Sequence, residues 1–376
     1  MFYYADEIIQ KLKREKELAV FGAGNVARLI VGCLIKEPYC LRITCCMVSD
    51  IGKNPNEICG IPVIDYAGEE AKTYRNGLVM VAMAEKNLGF IMRDLRNQGF
   101  KMLLPVTYES DLWSLLRGNC YRDYKLARHK AYLTLEEELG QRACTGTKGK
   151  TIAVYRACSH MDKVLSEDLS RFYWEIPIQV GSALTKQRIC KICDDTGKNI
   201  SEKNRKYCEL TALYWIWKND RSDYVGLGHY RRHFELSEKQ LRQIVCSDID
   251  VILTIPIMDD PDVYSVYRRD HVGEDWDVML DAIRKLSPEY LQTIEEVGRG
   301  RFYYAYNMFI MRREILENYC DWLFPILAYC EMHCKEKDDI YQNRYIGFLA
   351  EHLMSAYFTY HEDRYRIVHA RKHFIL

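Results

Sequence analysis

Four short apolar runs alternate with segments of helical periodicity over the first hundred residues, and this alternation is the feature that most limits the fold. Each run has the length of a buried strand: LAVFGAG (18–24), LRITCCMVSD (41–50), GLVMVAMA (77–84) and KMLLPV (101–106). Strands that alternate with helices are joined by crossovers and pair in parallel. The chain is therefore predicted to begin with a Rossmann-like α/β domain at residues 1–117.

The first strand ends in a glycine turn that is a partial dinucleotide fingerprint, Gly22-Ala23-Gly24-Asn25-Val26-Ala27. Glycines at such a turn let the backbone approach a pyrophosphate at a helix N-terminus. Asp50 ends the second strand, where an acid would bind a ribose. Gly22, Gly24 and Asp50 are therefore the candidates for nucleotide binding in this domain, although the same glycines can form a purely structural turn.

A second α/β pattern follows a connector. Residues 118–147 are helical in pattern and become small, polar and basic towards their end. From residue 148 to residue 376, strands such as TIAVYRA alternate with helices such as YCELTALYWIWKN. A chain of 376 residues is long enough for two cores, and we expect a second α/β domain here.

The charge balance and the cysteine pattern indicate which partners and which cellular compartment to expect. Lys and Arg number 53, as do Asp and Glu, so there is no basic excess of the kind that nucleic-acid binding favours. The N-terminal residues predict a charged amphipathic helix instead of a secretory signal, and the 15 cysteines show no pairing pattern. These features predict a cytoplasmic protein with free thiols. No apolar run is long enough to cross a bilayer, but the basic tail Arg371, Lys372 and His373 is compatible with peripheral contact at the inner membrane face.

Five motifs follow one another in the second domain: IPIQVG (176–181), DDTGKNISEKNRKYCELTALYWIWKN (194–219), DYVGLGHYRRHF (223–234), YNMFIMRREILENYCDWLFPIL (306–327) and RYIGFLAEHLMSAYF (344–358). Together they resemble a glycosyltransferase family of bacterial capsular and exopolysaccharide gene clusters, long catalogued as a domain of unknown function. The resemblance implies a GT-A-like α/β fold, a nucleotide-sugar donor and a saccharide acceptor, which is often lipid-linked. It predicts a hexosyl-transferring enzyme at residues 148–376.

The third motif ends in His229, Arg231 and Arg232, where many GT-A enzymes carry a D-x-D motif that holds a divalent metal. Two arginines can neutralise a diphosphate through forked hydrogen bonds, so these three residues are candidates for metal-free diphosphate binding. A solvated basic loop is the other interpretation, and a requirement for Mn²⁺ or Mg²⁺ stays open. Asp250 belongs to a D-x-D that precedes its strand, which predicts a structural role. His369 is a weaker metal candidate.

Five more residues are candidates for the chemistry. Asp195 and Asn199 lie in a polar loop and could contact a base, ribose or sugar. Asn307, an amide in an apolar strand, could contact a sugar hydroxyl or satisfy a bulged backbone. An inverting transferase needs a carboxylate base near the acceptor hydroxyl, for which Asp277 and Glu351 are the candidates. Asp277 could equally start its helix, and Glu351 could pair with a helix neighbour.

Two other functions fit parts of the chain. The glycine turn would suit an NAD-dependent nucleotide-sugar epimerase or dehydrogenase. Such enzymes usually carry Tyr-x-x-x-Lys on a helix after the cofactor domain, and no convincing example follows here, so NAD is not expected. The second alternative is a non-catalytic protein that binds a sugar nucleotide.

Overall fold

The computed structural model describes residues 2–15, 18–140 and 149–375, with side chains from residue 7 onwards. The chain divides into two compact units, Met1–His129 and Lys130–Leu376. Most of the small, polar end of the predicted connector, residues 141–147, lies outside the described residues.

The first unit is built on a parallel sheet. Its elements are α1 (Phe2–Arg14), β1 (Leu18–Phe21), α2 (Asn25–Leu34), β2 (Ile43–Val48), β3 (Glu57–Ile58), β4 (Ile61–Asp65), β5 (Leu78–Met83), α3 (Glu85–Asn97), β6 (Met102–Thr107) and α4 (Asp111–Leu126). The strand order is β3-β4-β2-β1-β5-β6, and β3 alone of these runs antiparallel to its neighbour. The chain therefore winds outward from β1 in both directions, which is the doubly wound Rossmann-like arrangement.

The second unit contains a larger mixed sheet. Its elements are α5 (Leu135–Gly140), β7 (Ile152–Cys158), β8 (Ile176–Gln179), β9 (Ile192–Cys193), α6 (Asn204–Tyr207), α7 (Leu210–Asn219), β10 (Tyr224–His229), β11 (Arg232–Phe234), α8 (Glu238–Val245), β12 (Val251–Thr254), β13 (Ile257–Met258), α9 (Val263–Asp270), α10 (Gly273–Leu286), α11 (Leu291–Arg299), β14 (Phe302–Tyr303), β15 (Phe309–Arg312), α12 (Arg313–His333), α13 (Tyr345–Tyr360), β16 (Ile367–Ala370) and β17 (Lys372–Phe374). None of the helices in the described ranges is long and apolar enough to cross a membrane.

Strand direction brings several chain segments to one edge of this sheet. The order is β16-β12-β15-β10-β7-β8-β9, with β11 and β17 joined to the end of β10. Strands β7 to β10 are parallel along this path, whereas β15 runs antiparallel to β10. The carboxyl ends of β7, β8, β9 and β10 therefore lie beside the amino end of β15, at the edge where α/β proteins usually place their sites.

The segment FYYAYNMFIM, predicted as one strand, is interrupted. It forms β14 and β15 with a turn between them, in which Tyr306 and Asn307 have φ values of +72° and +49°. Two successive residues in the left-handed region cannot continue an extended strand. At this interruption the Tyr306 amide faces α13 and the Tyr306 carbonyl faces the end of β10, whereas Asn307 bonds through its side chain.

One buried carboxylate fixes the loop that follows β8. Asp194 Oδ2 accepts hydrogen bonds from Gly181 N (2.9 Å) and Thr211 Oγ1 (2.6 Å). Its Oδ1 accepts from Ser182 N (3.0 Å) and Ser201 Oγ (2.5 Å). These donors replace the water that the carboxylate loses on burial. Asp194 therefore ties β8 and the polar loop to the first turn of α7.

We expect Asp194→Ala to lower the free energy of unfolding of the full chain by at least about 3 kcal/mol, because it leaves several buried donors without an acceptor. The matched control is Asp195→Ala, since the neighbouring carboxylate is half-buried and forms an ion pair with Arg188 at 2.8 Å. That change should cost less than about 1 kcal/mol. Urea titration measures both, and equal losses would contradict the assignment.

Candidate active site

A turn of two residues gathers the candidate site at the end of β10. Tyr306 N donates to Glu351 Oε1 (2.9 Å), and the Tyr306 carbonyl accepts from His229 Nε2 (2.5 Å). Asn307 Nδ2 donates to Glu209 Oε1 (2.6 Å). The turn thus joins β10, α13 and the start of α7. It brings together three residues that the sequence proposed separately, namely His229, Asn307 and Glu351.

Glu351 carries the most perturbed carboxyl group of this cluster. Burial raises the pKa of Glu351 to about 8, and the charge of Glu209 raises it as well. The Tyr306 amide and the charges of Arg232 and Arg344 act in the opposite direction. The group is therefore mostly protonated at neutral pH and ionises just above it. A carboxyl group that titrates near neutrality has the property that a general base requires.

His229 is a neutral hydrogen-bonding group. Burial lowers the pKa of its imidazole, and the charge of Arg232 lowers it too. The Tyr306 carbonyl can only accept, so Nε2 carries the proton and Nδ1 is left as an acceptor. The predicted role of His229 as a diphosphate ligand does not fit this arrangement, because its one N–H is already used.

Two arginines at the end of β10 are held by aromatic rings. The Cζ atoms of Arg231 and Arg232 lie 5.3 and 5.0 Å from the centroid of the Phe374 ring. Arg232 also lies 4.2 Å from the Tyr306 ring. Nε of Arg231 is shielded from solvent and has no hydrogen-bond partner among the described residues. Cation–π contacts position a guanidinium, so these rings hold two cationic side chains at this edge.

The predicted basic tail is a strand of the fold. Strand β17 pairs with β11, and Arg371 forms an ion pair with Glu235 at 3.4 Å. His373 Nε2 lies 3.1 Å from Glu167. The third basic residue, Lys372, lies 5.0 Å from the ring of Tyr306. The tail therefore brings Lys372 to the candidate site, and Arg371 and His373 lie beside carboxylates.

Asp195 and Asn199 lie at the same sheet edge but apart from Glu351. Asp195 pairs with Arg188, and Asn199 bonds within its own loop, accepting from Ser201 N at 3.2 Å. Both follow β9, which is three strands from β10 in the sheet. That separation is about 14 Å at the usual strand spacing. Asp195 and Asn199 therefore lie near the β9 end of this sheet edge, whereas Glu351 lies near the β10 end.

Two predicted residues lie outside the cluster. Asp277 is exposed on α10, close enough to Arg268 for its charge to raise the pKa of that guanidinium. His369 is buried in β16, where Nε2 bonds the Tyr304 hydroxyl (2.9 Å) and Nδ1 lies 3.2 Å from the Leu133 carbonyl. Both ring nitrogens of His369 contact protein groups, so the residue does not fit a metal ligand.

The residues at the end of β10 do not fit a divalent metal. The D-x-D position holds arginines, and Glu209 and Glu351 accept from Asn307 and the Tyr306 amide. Within the described part of the chain, no three His, Cys, Asp or Glu side chains form a group that could hold a metal ion. Asp250 pairs with Arg312 at 3.0 Å, in the structural setting that its position before the strand predicted.

Sequence reasoning missed Glu209 and Arg344. Arg344 precedes Glu351 by seven residues, the spacing of two helical turns, and this spacing could have revealed it, although Arg344 itself lies in the 3-10 turn before α13. Its Nε donates to Cys208 Sγ at 3.0 Å. Burial raises the pKa of Cys208 to about 12, so the sulfur is a neutral thiol. Glu209 offered no comparable signal, because its position depends on the left-handed Cys208 (φ +51°) that separates α6 from α7.

The glycine turn of the first unit is partly explained by the fold. Gly22 has φ +126°, and a Cβ atom there would lie 2.3 Å from the carbonyl oxygen of Ala82, so only glycine fits. Asp50 accepts from Gly52 N (3.1 Å) and pairs with Lys53 (3.0 Å) in a local turn. Gly24 begins α2 with an ordinary φ of −82° and open space around its Cα. Gly24 is thus the candidate whose identity the fold does not require.

Comparison with known proteins agrees with this architecture. The model of a family described as "Domain of unknown function (DUF4422)" matches residues 157–362. The match covers more than half of the chain, which therefore belongs to that family. No curated protein matches the chain.

Two solved structures show different degrees of likeness. The structure of the WbbM bifunctional glycosyltransferase in its apo form is 28% identical, with a TM-score of 0.54 over 60% of this chain and 45% of that chain. The likeness thus spans less than half of WbbM. A Rex-family repressor, RSP, is 13% identical over 34% of this chain and 69% of that one, with a TM-score of 0.22, which is too low to support an argument. The predicted fold class, a Rossmann-like domain followed by a GT-A-like α/β domain, is confirmed.

The raised pKa of Glu351 predicts how stability depends on pH. An unfolded glutamate has a pKa of about 4.3, so between that pH and about 8 the folded chain binds a proton that the unfolded chain has lost. The Glu351 contribution to the free energy of unfolding should therefore fall as the pH rises through this window. Thermal midpoints from pH 5 to 8.5 measure the slope.

The variant Glu351→Gln should flatten that slope, because the amide does not titrate. Glu317→Gln is the control, since Glu317 is an exposed glutamate on α12, and it should leave the slope unchanged. Parallel slopes in the wild-type protein and in Glu351→Gln would contradict the assigned pKa.

Proposed function

We propose that residues 148–376 form a glycosyltransferase that moves a sugar from a nucleotide-sugar donor to a saccharide acceptor. The observation that carries the proposal is the position of Glu351, a carboxyl group with a pKa near 8, close enough to Arg232 for that charge to lower its pKa. Arg232 and Arg231 both lie beside the Phe374 ring at the end of β10. A base and a cationic leaving-group site are the two elements that glycosyl transfer needs. The likeness to a bifunctional glycosyltransferase supports the same conclusion.

The leaving group is a nucleoside diphosphate, which gains negative charge as the sugar departs. We assign Arg231 and Arg232 to its stabilisation, because a guanidinium matches phosphate oxygens in a forked geometry. Both guanidinium groups lie within 5.3 Å of the Phe374 ring, and this contact orients them before the ligand arrives. Such preorganised charge lowers the barrier without reorganisation during the reaction. No divalent metal enters this scheme.

The acceptor hydroxyl must lose its proton as it attacks. In the scheme, the proton passes from the acceptor oxygen to the ionised Glu351 carboxylate, while the anomeric carbon exchanges its phosphate oxygen for the acceptor oxygen. The Tyr306 amide holds Glu351 Oε1 in place. Asn307 Oδ1 is buried and has no hydrogen-bond partner among the described residues, so it can accept from a sugar hydroxyl.

The finer assignments follow the motif resemblance. The transferred sugar is a hexose, the acceptor is a lipid-linked saccharide, and the pathway is capsular or exopolysaccharide biosynthesis. The enzyme would then act in the cytoplasm at the inner face of the membrane. We assign Asp195 and Asn199, farther along the edge, to the nucleoside of the donor. In the first unit, Gly24 at the start of α2 is the candidate contact for a second nucleotide.

The decisive experiment measures thermal stabilisation of the full chain by a panel of nucleotide sugars, by NAD and by free nucleoside diphosphates. A ligand that binds only the folded state raises the melting temperature with its occupancy. Stabilisation by one nucleotide sugar, followed by turnover with a saccharide acceptor, supports the transferase. Stabilisation by NAD alone would instead indicate an oxidoreductase. Binding of a nucleotide sugar without turnover would indicate a non-catalytic sensor.

Arg231→Ala should weaken donor binding about 10-fold to 100-fold, the range expected for the loss of a hydrogen bond to a charged group. Titration calorimetry with the stabilising nucleotide sugar measures the change. The control is Arg221→Ala, because Arg221 is exposed and its guanidinium bonds carbonyls of its own loop. Donor binding in the wild-type protein should also persist in EDTA. Loss of binding in EDTA, or normal binding by Arg231→Ala, would refute the arginine site.

Turnover should depend on pH through Glu351. The rate constant kcat/KM should rise as the pH approaches about 8 and then level off, since the base must be ionised. Glu351→Gln should abolish this rise and lower kcat about 100-fold to 10,000-fold. Asp277→Asn is the control, because it neutralises an exposed carboxylate outside the cluster, and it should keep nearly full activity. A residual rise with the same midpoint in Glu351→Gln would assign the base elsewhere.

A further inference from the structure

An aromatic group that the proposed chemistry does not use lies next to Glu351. Phe348, one turn before Glu351 on α13, stacks on His271 with ring centroids 4.1 Å apart and planes inclined by 28°. The Tyr341 ring lies 5.2 Å from Phe348 and 6.0 Å from His271. Tyr341 and α13 are joined by a single 3-10 turn, Gln342–Arg344. We call Tyr341, Phe348 and His271 the aromatic platform.

The outer ring of the platform is open to solvent. Tyr341 is 53% exposed, and the preceding Ile340 is 87% exposed. Tyr345 and Tyr357, which belong to α13 itself, are almost completely buried and serve the core. The Tyr341 ring packs against Phe348 with the planes inclined by 46° and leaves about half of its surface exposed. The exposed part of the ring offers an apolar surface for a ligand.

Arg344 connects the platform to the candidate base. Its guanidinium lies 6.0 Å from the Tyr341 ring centroid and 5.8 Å from that of Phe348. Burial raises the pKa of the Tyr341 hydroxyl, the charge of Arg344 lowers it, and the charge of Glu351 raises it. Arg344 likewise lowers the pKa of Glu351. The Tyr341 hydroxyl, Arg344 and Glu351 therefore share one electrostatic environment.

Polar side chains belong to the same segment as Tyr341. Asn343 Oδ1 is shielded from solvent and has no hydrogen-bond partner among the described residues. Gln342 Nε2 donates to the Asp270 carbonyl at 2.9 Å, which fixes the segment that carries Tyr341. A sugar ring has an apolar C–H face and an edge of hydroxyls, so it needs both a flat apolar surface and fixed polar partners. Tyr341 and Asn343, two residues apart in this segment, are the candidates for these two elements.

The charges of the neighbouring loop disfavour a lipid surface as the occupant. Residues 335–339 have the sequence KEKDD, with two basic and three acidic side chains. An anionic membrane attracts clusters of Lys and Arg, and this loop has an acidic excess. A neutral, hydroxyl-rich ligand faces no such repulsion.

We propose that the aromatic platform is a subsite for a sugar ring, with Tyr341 as the stacking face and Asn343 Oδ1 as an acceptor for a sugar hydroxyl. The proposal rests on the proposed glycosyltransferase function, because it places the bound sugar next to Glu351. The acceptor saccharide and the sugar of the donor present the same C–H face and hydroxyl edge. The experiment therefore tests the acceptor saccharide and the donor sugar in separate arms.

The test compares the full-length wild-type protein with Tyr341→Ala, Tyr341→Phe and Tyr173→Ala. Tyr341→Phe keeps the ring, and Tyr173 is an exposed tyrosine elsewhere in the second unit (69% exposed). The acceptor arm measures binding of octyl glycosides of galactose, glucose, mannose and N-acetylglucosamine by saturation-transfer NMR. The donor arm measures stabilisation by the corresponding nucleotide sugars and by the free nucleoside diphosphates. Melting temperatures without ligand show that each variant is folded.

We expect Tyr341→Ala to bind the preferred glycoside about tenfold more weakly, the upper range for one aromatic contact, whereas Tyr341→Phe and Tyr173→Ala bind normally. If the donor sugar occupies the subsite, Tyr341→Ala instead loses affinity for the nucleotide sugar and keeps it for the free diphosphate. The subsite is overturned if Tyr341→Ala binds both the glycosides and the nucleotide sugars as tightly as the wild-type protein does. It is also overturned if no ligand is found whose affinity depends on Tyr341. Tyr341-dependent binding of glycosides without any sugar transfer rejects the transferase and retains the subsite.

Discussion

The candidate site depends on two consecutive residues in the left-handed backbone region. Tyr306 and Asn307 have positive φ, a conformation that costs free energy for residues with a side chain. It is maintained by hydrogen bonds to three different elements, through Glu351, His229 and Glu209. Any change that straightened this turn into a strand would separate the base, the imidazole and the second carboxylate at once. The ends of β10 and β15 are adjacent because the two strands are antiparallel, so the sheet itself supports the turn.

The same turn explains why a carboxyl group and two cations coexist at this edge. Glu351 and Glu209 repel each other and are largely removed from water, which favours the protonated form of Glu351. Arg232 and Arg344 limit that effect, so the pKa settles near neutrality. Near neutral pH the Glu351 carboxyl is thus mostly uncharged, so it does not repel an anionic donor. Binding of a diphosphate would partly neutralise the arginines and raise the pKa of Glu351 further.

Strand and helix periodicity predicted most of the architecture, and tertiary contacts decided the rest. The buried strands β1, β5, β10 and β12 are continuous apolar runs, so the sequence alone located them. The short β3 and β4 were missed, because their partly exposed residues have no clear pattern. The break at Tyr306 was missed because left-handed conformation at residues other than glycine is set by contacts with distant segments.

Within the site, the residues that end regular strands could also be predicted from the sequence, whereas those positioned by tertiary contacts could not. Residues in motifs that end a strand, such as Arg231 and Arg232, were identified because strand ends gather at one edge. Glu351 was chosen for its chemistry, but only the structure shows that it is enclosed while Asp277 is exposed. Glu209 and Tyr341 belong to the neighbourhood through a break between α6 and α7 and a 3-10 turn before α13, and neither irregularity has a signature in composition or periodicity. The irregular backbone segments therefore cannot be predicted from periodic patterns, and most of the candidate site residues contact these segments.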